Sequence, residues 1–151
     1  MAKQMIKTFS MLMLLAVVSL AATVVSAQSA RRIVATVPFN FIVGDTEMPA
    51  GTYGVTPAPT GSGILRITGA ENSKTVLRLS SSLHRNNAGR GKLVFHRYQD
   101  QYFLSEIWVA GETDGRQLFK SSREKTMKRD QLASNPSKQA YQVIEVMVVG
   151  Q

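Results

Sequence analysis

The chain has 151 residues, with 18 Lys and Arg against 10 Asp and Glu, a single tryptophan and no cysteine. The lack of cysteine excludes disulfide scaffolding, thiol catalysis and thiolate metal sites, so the fold has to rest on packing alone. A formal charge of +8 points to polyanionic partners such as acidic polysaccharide or lipid head groups, unless the charges are dispersed and serve only solubility.

Lys3 and Lys7 precede the apolar run "FSMLMLLAVVSLAATVV", which ends at "VSA" (25–27). A basic start, an apolar core and a small-x-small end are the pattern of a Sec-type signal peptide, with cleavage expected after Ala27. The alternative is a retained membrane anchor, because the run approaches the ~20 residues that span a bilayer. Cleavage would leave Gln28–Gln151 as a single secreted or periplasmic domain that is not an integral membrane protein. Losing the two lysines lowers its charge from +8 to +6. A chain of this size buries enough apolar surface to fold without staples.

Beyond the leader the pattern is β. "RRIVATVPFNFIV" (31–43) alternates apolar and polar residues up to "GDT"; Pro38 cannot donate to a ladder, so the segment is expected at an edge or with a bulge. "MPAGTYGVTPAP" (48–59) predicts a turn at Pro49–Gly51 that delivers Thr52, Tyr53 and Val55 into a strand. "ILRIT" (64–68) and "KTVLRLS" (74–80) predict two strands, each with one wet face. The polar run "SSLHRNNAGRG" (81–91) reads as a loop.

"KLVFHRYQDQYFLSEIW" (92–108) is the densest aromatic run and predicts a hairpin of two strands, 92–98 and 102–109, although no glycine marks its turn. Alternation puts Leu93, Phe95 and Arg97 on one face and Val94, His96 and Tyr98 on the other. On the second strand Tyr102, Leu104, Glu106 and Trp108 share a face, opposite Phe103, Ser105, Ile107 and Val109. A three-residue loop would set His96 near Glu106 and Tyr98 opposite Tyr102, a group capable of proton transfer. A two-residue loop would shift the register and separate His96 from Glu106. His96, Tyr98, Tyr102 and Trp108 are therefore candidates for an aromatic binding surface, although aromatics on paired strands are more often cross-strand packing than a ligand platform.

After "GETDG" (111–115) a weaker strand is expected over Arg116 to Phe119. "SSREKTMKRDQLASNP" (121–136) then predicts a helix, because Ser121 and Glu124 form a capping box and Asn135-Pro136 supply the stop. Arg123, Lys125, Lys128 and Arg129 form the one cluster of basic residues and are the candidates for polyanion contact. Arg85, Arg90 and Lys92 in the preceding loop are possible additions. Met127 and Leu132, with Phe119 just before, give a thin apolar stripe, so the helix is expected on the surface of the sheet and any membrane contact would be electrostatic. The competing reading is a solvated face with an internal Glu124–Lys128 pair. "YQVIEVMVV" (141–149) predicts a final strand.

Together these segments predict a mainly β fold: a small antiparallel β-sandwich or open β-barrel of six to seven strands with one short surface helix. There is no phosphate-binding loop and no nucleophile elbow, and the two histidines lack metal-ligand spacing. No cofactor, metal site, catalytic residue or specific nucleic acid is expected.

"ATVPFNFIVGDTEMPAGTYGV" (35–55), "GKLVFHRYQDQYFLSEIWVAG" (91–111) and "SSREK" (121–125) together resemble a group of small exported β-rich proteins common in acidobacteria. The resemblance covers most of the chain beyond the leader and implies export and a β fold. It carries no activity or ligand. Three functions follow as expectations: an exported non-catalytic β-domain with a structural or interaction role in the envelope or outside the cell; a module that binds anionic polymers through its basic helix; and a small enzyme using His96, Glu106 and Tyr98.

Overall fold

Pro38 divides the first apolar segment. Its ring removes an N–H and fixes φ, and the chain bends at residues 38–39, so a single strand over 31–43 becomes two. In the computed structural model, which describes residues 32–58, 63–136 and 139–148, these are β1 (Ile33–Val37) and β2 (Phe41–Val43). The leader and its cleavage position at Ala27 lie outside the described residues. A tight turn at Gly44, whose φ of 67° suits glycine, leads into β3 (Thr46–Met48), too short to show alternation. Then follow β4 (Gly51–Pro57), β5 (Ile64–Gly69), β6 (Thr75–His84), β7 (Lys92–Tyr98), β8 (Gln101–Trp108), β9 (Asp114–Leu118), the helix α1 (Ser122–Ser134) and β10 (Gln142–Met147).

The fold is mainly β with one helix, and the described residues form ten strands where six to seven were expected. β1-β4-β5-β6-β9-β8-β7-β10 is a continuous antiparallel path. The pair β2–β3 joins it through one parallel contact of β2 with β8, Ile42 opposite Phe103. β6 runs on through residues 81–84, which sequence assigned to a loop: its first half pairs β5 and its second half pairs β9. One strand thereby serves both halves of the fold. The end strands β1 and β10 come within 8 Å at their Cα atoms without pairing, so the sheet curls into an open barrel.

Residues alternating along the strands fill the interior. Ile33, Val37, Val55, Ile67, Leu93 and Phe95 belong to the main core. One end of it is aromatic, with Phe41 packed edge-on against Tyr53 and Phe95 at 4.9 and 5.4 Å between ring centroids. A second cluster lies on the outer side of β7 and β8, where Ile42, Tyr98, Phe103 and Ala140 meet Met127 and Tyr141. Met127 is the one residue of α1 that packs against it.

The 92–108 hairpin has the two-residue register, with Tyr98 opposite Gln101 and His96 opposite Phe103. Gln99 takes a φ of 53°, the left-handed conformation for which glycine is the usual residue. Between Val94 and Phe95 the register shifts, because β8 carries one extra residue: Phe95 faces Leu104, but Val94 faces Glu106. Ser105 is the residue left over. This bulge resets the alternation, so Leu104 and Ile107 both enter the main core although sequence put them on opposite faces.

Candidate functional site

The expected faces of β7 are correct, and they determine what happens at α1. Val94, His96 and Tyr98 turn away from the barrel interior, and a histidine there needs a polar partner once a helix covers it. The partner is Glu124 of α1. Ser121 caps the helix by accepting from the Glu124 backbone N–H at 3.2 Å, as a capping box requires. The Glu124 carboxylate does not complete the box; it reaches into the sheet instead. Its Oε1 accepts from His96 Nδ1 at 3.2 Å, Lys120 Nζ at 3.2 Å and Tyr98 OH at 3.3 Å. An ionised carboxylate only accepts, so His96 carries its hydrogen on Nδ1. Tyr141 stacks on the imidazole with 3.9 Å between ring centroids, and Lys120 Nζ lies 5.0 Å from the Tyr141 ring.

His96, Tyr98 and Glu124 are 5, 1 and 4 % exposed. Burial alone would push the Glu124 carboxyl up, but the His96 hydrogen bond and the Lys120 charge outweigh it and hold the group below its ordinary value. Burial first, then the neighbouring carboxylate, drives the Tyr98 hydroxyl well above its usual range. The Lys120–Glu124 pair balances one charge against another under the helix.

This cluster contains proton-transfer groups, but not the group expected from sequence. Glu106 is displaced by the register and accepts from Trp108 Nε1 at 2.9 Å, so His96, Glu106 and Tyr98 are not assembled. The four aromatic candidates do not share a surface either. His96 and Tyr98 lie under α1. Tyr102 stacks on Phe39 at 4.1 Å, and buried Trp108 sits at the far end of the hairpin beneath the Arg85 guanidinium, 4.9 Å from its ring centroid. Glu124 was legible as a cap but not as a buried anchor; the signal for the second role was His96 on a face with no partner of its own.

The basic candidates divide into spent and unspent cations. Arg123 pairs with Glu47 on β3 at 3.0 Å. Lys120 is drawn inward by Glu124, and Lys128 does not form the expected pair with it. Arg129 meets only its neighbour Asp130 at 3.7 Å. Lys125 and Lys128 have no ion pair among the described residues. Arg85 in the loop donates to the Glu112 carbonyl at 2.8 Å, and Lys92, expected in that loop, is the first residue of β7 and binds Glu145 at 2.6 Å, so both are engaged. Leu132 and Phe119 remain exposed; of the expected apolar stripe only Met127 packs inward.

Among the described residues no group of three or more His, Asp or Glu side chains is placed to hold a metal, and no helix is long and apolar enough to cross a membrane. Comparison of the chain with protein-family models, curated proteins and solved structures returns no match.

Proposed function

We propose that this protein is an exported β-domain that acts by binding rather than by catalysis, and that its contact with anionic polymer at the cell envelope is the outward face of α1. The carrying observation is the division of labour within that helix. Glu124 turns inward and anchors it, while Lys125 and Arg129 are exposed and Lys128, one turn beyond Glu124, is half-buried at the edge of that face. Neither Lys125 nor Lys128 has an ion pair among the described residues. A helix with so little apolar surface gains its place on the sheet from a buried polar anchor, which holds the cations in a fixed array. Such an array binds acidic polysaccharide or lipid head groups through charge, without insertion. The leader pattern and the acidobacterial resemblance support export to a compartment where those polymers occur.

The cluster around His96 fits this reading as an anchor. His96, Tyr98 and Glu124 are almost wholly removed from water and spend their polar atoms on one another, as an anchor does. Titration with an acidic polysaccharide at two salt concentrations tests the proposal. Association that weakens with salt and leaves Trp108 emission unchanged supports contact through α1. No association at low salt overturns it.

A further inference from the structure

The barrel is finished differently at its two ends. At one, Phe41, Tyr53 and Phe95 interlock edge-on and fill the interior. Towards the other, the inward positions are aliphatic: Ile33 on β1, Val55 on β4, Leu65 on β5 and Ile107 on β8. The next inward position of β6 is Ser82. Side chains this small do not close the mouth, and a cavity of about 410 Å³ remains there. Such a volume falls within the ~300–1,000 Å³ of small-molecule sites, which commonly sit in the mouths of β-barrels. At about 30 Å³ per water-sized group it admits on the order of ten non-hydrogen atoms.

One side of the mouth is polar. Arg116 stands opposite Ser82 across the β6–β9 pair and beside Ile107 across the β8–β9 pair, so it points inward at the rim of an aliphatic wall. Among the described residues its guanidinium makes one hydrogen bond, to Ser82 Oγ at 3.3 Å, leaving most of its five donors unspent. Glu112 and Asp114 also line the rim. Asp114 is bound by His84 at 2.8 Å in a largely exposed pair, where solvent screens it.

We infer that the barrel mouth binds a small amphiphile, with its hydrocarbon body against Ile33, Val55, Leu65 and Ile107 and a hydrogen-bond-accepting head on Arg116. The head is a carboxylate or an uncharged carbonyl; both accept, and an ammonium does not. The site is independent of α1, since no helix residue lines it. Calorimetric titration of the purified protein with decanoic acid, its methyl ester and decylamine tests the inference. One-to-one binding of the acid or the ester is expected, with decylamine much weaker; preference for the acid identifies a carboxylate head, and equal binding a carbonyl. Arg116→Gln is expected to weaken the preferred ligand by about tenfold, the loss of one charge-assisted hydrogen bond. Ser82→Trp, at an exposed position, fills the mouth and abolishes binding; circular dichroism verifies that both variants are folded. Failure of both acid and ester to bind overturns the inference. So does decylamine binding as tightly as they do, or unchanged affinity in either folded variant.

Discussion

Glu124 on α1 and His96 on β7 are joined by a 3.2 Å hydrogen bond between two side chains almost wholly removed from water. Residues 28 positions apart thus fix the helix to the sheet, and they do so with polar groups where a surface helix ordinarily uses an apolar stripe. Removing Glu124 takes away the carboxylate that both His96 and Tyr98 use as their acceptor. Glu124→Ala is expected to cost about 2–4 kcal/mol, towards the lower end of broken buried pairs because Lys120 retains some solvent. Urea denaturation measures it. A double-mutant cycle with His96→Phe should show coupling, and a loss below ~0.5 kcal/mol, typical of surface changes, would contradict the anchoring role.

Stability should fall at both extremes of pH for opposite reasons. The folded-state pKa of Glu124 lies below its ordinary 4.5, despite burial, because of His96 and Lys120. Its contribution is complete above about pH 4.5 and is lost as pH falls through the folded value. Tyr98 has its pKa raised, chiefly by burial and then by Glu124. Its contribution is complete below its ordinary 10.0 and is lost as pH rises from there through the folded value. Denaturation curves of Glu124→Gln should lack the acid slope, and those of Tyr98→Phe the alkaline one. Unaltered slopes would refute the assignment.

Gln99 holds a φ of 53° in a two-residue turn. A side chain in that conformation carries a steric penalty that glycine escapes, while the Arg97 Nε bond at 2.8 Å goes to the Gln99 backbone carbonyl and survives substitution. Gln99→Gly should therefore raise stability by about 0.5–1 kcal/mol, net of the added freedom of the unfolded chain. Thermal unfolding at a lower temperature than the parent would show that the turn is not strained.

Gly115 faces Trp108 across the β8–β9 pair. A Cβ there would come within 2.5 Å of the indole Cε3, and the ring is held by Glu106 and Arg85. Gly115→Ala is expected to cost about 1–3 kcal/mol as an overpacked contact and to shift Trp108 emission. An unchanged spectrum with unchanged stability would mean that the ring is free to move.

Strand positions were largely readable, since Ile33, Val55, Ile67 and Leu93 alternate with polar neighbours and fill the core as that pattern requires. The failures have local causes. Pro38 ended a strand that composition alone would continue, and β3 is too short to carry a period. The bulge at Ser105 depends on how two strands meet, which no single strand records. The site was legible in halves. Periodicity put His96 and Tyr98 on one face and the capping rule found Ser121 with Glu124, but joining them requires the chain to return α1 to β7. Glu106, nearer in sequence, was the natural but incorrect partner. The cavity at Ser82 was invisible because residues 81–84 looked like loop, and only as a strand do they turn Ser82 inward beside Arg116.

The measurement that tests the central claim most directly is the salt dependence of binding to heparin by the parent and by the Lys125→Gln, Lys128→Gln, Arg129→Gln triple variant. A charge-matched control carries Arg66 on β5, Arg32 just before β1 and Lys74 just before β6 changed to Gln. If the outward face of α1 is the contact, affinity falls steeply with salt in the parent and the control. The helix variant then loses most of its affinity and most of that slope. Equal losses in the helix variant and the control would contradict the account, because attraction would then follow net charge and not the array that Glu124 holds in place.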